Sequence, residues 1–138
     1  MKAFALALVL VLALAACGSS HKSANDQAQI TSAYEKFFSG KTSLSDRVAL
    51  LQNGSKFKPV IQAFASNPLA KNVSATVASV TLHGANEARV DFTIKLGGTS
   101  LPTQVGTAVK QNGTWKVGSA GLCKLVALGG STPSACKS

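Results

Sequence analysis

An α+β fold is predicted, with N-terminal helices packed on a four-stranded antiparallel sheet and a short C-terminal helix. Three observations predict it. Apolar residues recur at helical spacing through the first half of the chain. From about Asn72 the spacing changes to two, the period of a strand. An Asn112-Gly113 pair between two alternating runs supplies the positive φ angles of a tight hairpin. Helices followed by a meander of strands leave one sheet face to the helices and the other to water.

The chain begins with an uncharged run, Ala3 to Ala16, behind Met1 and Lys2. A short basic end, an apolar middle and small closing residues make residues 1–16 a signal peptide. The run is shorter than the roughly 20 apolar residues that cross a bilayer, and no later stretch is both long enough and uncharged, so the mature protein is expected to have no transmembrane helix. Leu14-Ala15-Ala16-Cys17 resembles the bacterial lipobox, in which small residues precede a cysteine that is cleaved to the N-terminus and lipidated. The resemblance implies acyl chains on the Cys17 sulfur, the nucleophile such a transfer needs. It also implies anchorage on the outer face of the cell membrane, and an ordinary secreted protein with a cysteine near the cut is the alternative. Residues 17–24 then read as the lipidated cysteine and a flexible tether, because "GSSHKSA" carries too little apolar surface to fix a conformation. Residues 25–138 read as one α+β domain.

The first helix is expected from about Asp26 to Ser39, with Ile30, Ala33, Tyr34, Phe37 and Phe38 in one stripe. Ser23 and Asp26 have the spacing of a capping box, and Gly40 stops the helix. In the second, Ser43 and Asp46 repeat that spacing, and Leu44, Val48 and Leu51 share a face before Gly54. A third begins near Ser55 or Lys58, carries Phe57, Val60, Ile61 and Phe64, and ends at Ser66 to Pro68.

In the first strand Val73, Ala75 and Val77 are out of phase with Val80 and Leu82, which predicts a bulge near Ala78 or Ser79. The second is the clearest, with Val90, Phe92, Ile94 and Leu96 alternating with polar residues. Leu101, Thr103, Val105, Thr107 and Val109 form the alternating set of the third, and Trp115 and Val117 return in the fourth. A closing helix from about Ser119 to Leu128 sets Leu122, Cys123, Val126 and Ala127 against the rest.

Lipid on Cys17 leaves two of the three cysteines, Cys123 and Cys136, an even number in an exported, oxidising location. Their pairing closes a loop made flexible by "LGGSTPSA", and two buried free thiols are the alternative. Chemical motifs are scarce. Asp26, Glu35, Asp46, Glu87 and Asp91 fall on separate elements, with no pairing of the kind that sets up acid-base chemistry. His83 is the only histidine in the folded region; no G-x-S-x-G elbow accompanies it, and the cysteines lack zinc spacing. No catalytic residue, metal or cofactor is expected, and the chain reads as a non-enzyme.

A formal net charge of +9 comes from lysines spread along the chain and two arginines, Arg47 and Arg89. Nucleic-acid readers cluster such residues beside exposed aromatics, so nucleic acid is excluded as a partner. The expected partners are the membrane through acyl chains on Cys17, anionic envelope lipids or polymers, and a protein that the sequence does not name. Charge serving solubility alone is the alternative. Tyr34, Phe38, Phe64, Phe92 and Trp115 all fall on inward phases. They either line a cavity for an apolar ligand or fill a solid core.

The order of three helices and four strands resembles the NTF2-like cone, a fold that enzymes and binding modules share. "AYEKFFSGKTSLSDRVALLQNGSKFKPVIQAF" with "KQNGTWKVGSAGLC" resembles the low-molecular-weight secreted antigens of mycobacteria and related actinobacterial lipoproteins, over about Ala28 to Leu128. That resemblance implies export and fold and carries no catalytic residue across. The expected function is an exported, lipid-anchored envelope protein with a non-catalytic binding or interaction domain. The alternative is a carrier of a small apolar ligand held between helices and sheet.

Overall fold

A computed structural model describes residues 18–128, 130 and 132–137, with side-chain surroundings from Lys22 onward. Residues 1–16, expected from the sequence to be a signal peptide, and Cys17 lie outside the described residues. Helix α1 spans Gly18–Phe38. Its expected stripe is the one buried: Ile30, Ala33, Tyr34, Phe37 and Phe38 all face the core. Its start differs from expectation, because the segment read as a flexible tether is helical from Gly18. Once a helix is nucleated each added residue costs little, and the packed turns beyond Asp26 supply the nucleus. Ser23 and Asp26 therefore lie within the helix and do not cap it. Lys22, Ala24 and Asn25 remain exposed.

Helix α2 (Leu44–Leu50) starts where Ser43 predicts, with the Asp46 N–H donating to Ser43 Oγ at 3.2 Å. After it Leu51, fully buried, bridges to Val117, and the Gln52 N–H donates to the Val117 carbonyl at 2.8 Å. A single 3-10 turn, Gly54–Phe57, leads into α3 (Lys58–Ala65), which carries Pro59 in its first turn. A second, Pro68–Asn72, delivers the chain to the sheet.

The strands are β1 (Val73–His83), β2 (Glu87–Leu96), a two-residue β3 (Thr99–Ser100), β4 (Gln104–Gln111) and β5 (Thr114–Val117). All pairings are antiparallel in the order β1-β2-β4-β5, with β3 paired to β2 as a fifth, minor strand. The register of β1 on β2 shifts between Val77 and Ser79. The resulting bulge turns both halves of β1's apolar set toward the helices, as the phase break predicts. Asn112 and Gly113 turn the chain at positive φ between β4 and β5.

One strand faces differently from its hydrophobic pattern. Gly106 and Ala108 of β4 point into the core, while Val105 is 50% exposed and Thr107 also faces out. The cause is space: a Cβ at residue 106 would collide with the Tyr34 hydroxyl and come within 3.2 Å of Phe92. Small residues win the inward positions because the rings of α1 and β2 already fill them.

Helix α4 (Ser119–Leu128) crosses back over β4, with the Gly121 Cβ position 3.5 Å from the Gly106 Cα. Leu122 and Cys123 pack as expected and Leu125 joins them; Val126 is half-buried, and Ala127 is exposed. The whole is α+β: helices followed by a curled antiparallel sheet, a half-barrel closed by the short last helix.

Candidate functional site

The helices do not fill the half-barrel. A cavity of about 280 Å³ remains between them and the sheet. Phe37 and Phe38 from α1, Val60, Ile61 and Phe64 from α3, and Leu122, Leu125 and Val126 from α4 form three of its walls. Val73, Ile94 and Leu96 of the sheet form the fourth, and Leu101, before β4, completes the lining. Phe64 and Leu101 line it while being 44% and 39% exposed, which marks its mouth.

Among the described residues, Arg47 of α2 is the only polar one in this lining. It is 3% exposed. One guanidinium nitrogen, Nη2, donates to the Ser39 carbonyl at 2.6 Å. The group lies 5.8 Å from the centroid of the Phe64 ring, within reach of a cation–π contact. The buried Nε has no hydrogen-bond partner, and among the described residues no carboxylate pairs with the side chain. Burial pushes its pKa down, yet an arginine stays protonated in any such setting.

Of the five aromatics read as inward-facing, Phe38 and Phe64 line the cavity. Tyr34, Phe92 and Trp115 pack in the filled part of the core. The Tyr34 and Phe92 rings sit 5.0 Å apart, and the Phe38 and Phe92 rings stack at 5.3 Å. The Tyr34 hydroxyl donates to the Thr107 carbonyl at 2.5 Å, and burial raises its pKa well above the ordinary value. Trp115 donates from Nε1 to Asp26 at 2.8 Å, with Lys110 Nζ 3.4 Å from the same carboxylate oxygen. The Trp115 hydrogen bond is the chief cause holding the Asp26 pKa below its usual value; burial opposes it and Lys110 assists it. This trio fastens α1 to the sheet and lies outside the cavity lining.

Cys123 and Cys136 stand at disulfide distance, their Cα atoms 5.6 Å apart, and tie α4 to the turn Ser134–Cys136. His83 is exposed at the end of β1, opposite Glu87. Asp91 is engaged by Ser79 at 2.9 Å and by Arg89 at 3.1 Å. Among the described residues, no group of three or more His, Cys, Asp or Glu side chains could hold a metal ion. No described helix is long and apolar enough to cross a membrane.

Arg47 is the site residue that the sequence reading passed over as ordinary surface charge. The signal was present: Leu44, Arg47, Val48 and Leu51 occupy i, i+3, i+4 and i+7, so the arginine stands in an apolar stripe.

No curated protein matches the chain. Among solved structures, it is similar to a candidate NTF2-like transpeptidase from Campylobacter jejuni, with a TM-score of 0.44 and 9% identity over 73% of this chain and 98% of that one. A likeness at that level says nothing about chemistry. A family model described as the C-terminal domain of the low molecular weight antigen MTB12 matches residues 23–133, and the chain belongs to that family.

Proposed function

We propose that this is a non-catalytic binding domain that carries a small apolar molecule in the cavity bounded by Phe38, Phe64, Ile94 and Leu125. One observation carries the reading: an opening of about 280 Å³ whose lining, among the described residues, is hydrocarbon except for Arg47. The volume stands at the lower edge of the roughly 300–1,000 Å³ range of ligand pockets, and apolar walls with one polar group suit a small ligand. Acid-base or nucleophilic chemistry needs a group able to exchange a proton or attack, and arginine does neither near neutral pH. That supports binding as the cavity's role.

Titration with the uncharged dye N-phenyl-1-naphthylamine, which brightens in apolar surroundings, tests the reading. Saturable one-to-one binding is expected, weakened at least tenfold by Val60→Trp, which intrudes into the cavity. A dye that does not bind, or binds equally well to a folded Val60→Trp variant, overturns it.

The proposed address is extracytoplasmic, with acyl chains on Cys17 holding the domain at the outer face of the cell membrane. Support comes from the signal-peptide pattern of residues 1–16, the lipobox resemblance and membership of a family named for an antigen. The positive balance suits anionic envelope lipids or polymers as neighbours. Cys17→Ser is expected to release the protein from membranes, and unchanged retention contradicts the anchor.

A further inference from the structure

We infer that the ligand is a single-chain amphiphile with a carboxylate head, its tail in the cavity and its head against Arg47; this rests on the cavity reading above. A buried charge is ordinarily paired, because leaving water costs more than isolated contacts return. Arg47 is buried, lines the cavity, and meets no carboxylate among the described residues. The Ser39 carbonyl and the Phe64 ring satisfy it in part, and Nε keeps an unused donor. A guanidinium presents its donors in a planar fork that a carboxylate matches with two parallel hydrogen bonds.

Charge and size narrow the class further. Among the described residues the lining holds one cation, which balances a monoanion and leaves a phosphate dianion uncompensated. A volume of about 280 Å³ suits one short chain rather than the two chains of a phospholipid. The exposed Phe64 and Leu101 at the mouth give the tail a way in. No other described cation is both buried and within an apolar lining: Arg89 is paired on the outer face of the sheet, and Lys110 is paired with Asp26.

The test is calorimetric titration of the full chain carrying Cys17→Ser with decanoate, decanol and decyl phosphate at neutral pH, each below its micelle concentration. Decanoate is expected to bind at least tenfold more tightly than decanol, and Arg47→Met to remove that advantage while decanol binding persists. Decanol binding as well as decanoate overturns the carboxylate inference and leaves the cavity reading standing. Decyl phosphate binding more tightly than decanoate overturns the choice of head. Absence of binding by all three overturns the cavity reading itself. Should Arg47→Met fail to fold, carboxyl-labelled decanoate bound to the Cys17→Ser chain decides by carbon NMR. Its carboxyl is expected to stay ionised to lower pH than that of free decanoate, and an unshifted or raised titration overturns the pairing.

Discussion

Asp26 is the residue on which the seating of α1 turns. Its carboxylate accepts from Trp115 and pairs with Lys110, and the folded protein holds its pKa below the usual value of about 3.9. A depressed pKa stabilises the fold at any pH above the unfolded value, and the contribution is lost as pH falls through the folded one. Asp26→Asn is therefore expected to lower stability at pH 7, with the difference from the wild type shrinking as pH falls below about 4. Urea unfolding at pH 7 and pH 3 checks it, and an equal difference at both contradicts the ionic part. Tyr34→Phe is expected to be mild, about 1 kcal/mol, because the Thr107 carbonyl keeps the Gly118 N–H as a donor at 2.7 Å. A denaturation midpoint reads that loss.

Among the elements, β4 and α4 decide how much room the interior has. Gly106 lies where the Tyr34 and Phe92 rings meet the sheet, so Gly106→Ala is expected to cost about 1–3 kcal/mol by overpacking, read from chemical denaturation. A neutral outcome would mean that the rings yield. Helix α4 covers the cavity and is held at Cys123 by Cys136, thirteen residues on. Replacing both cysteines by serine is expected to cost about 3 kcal/mol, and to weaken binding of the apolar dye because three cavity residues ride on that helix. Full dye affinity in the doubly substituted protein would show that α4 stays seated without its clasp.

In the molecule as a whole, what could be read from sequence was local, and what could not was the space between distant segments. The stripe from Ile30 to Phe38, the Ser43 cap, the phase break at Ala78 and the Asn112-Gly113 turn each depend on residues close in sequence, and each took its expected form. The inward turn of Gly106 depends on Tyr34, more than seventy residues earlier, and no strand pattern encodes that. The cavity is likewise a gap between α1, α3, α4 and the sheet. Inward phase alone could not say that Phe38 and Phe64 would border it while Trp115 was sealed elsewhere. Methyl NMR during titration with decanol examines that space itself. The methyls of Val60, Ile61, Ile94, Leu122, Leu125 and Val126 are expected to shift together along one saturating isotherm, with Val105 on the outer face unmoved. Shifts confined to the outer face, or none at saturation, would contradict a ligand-holding interior.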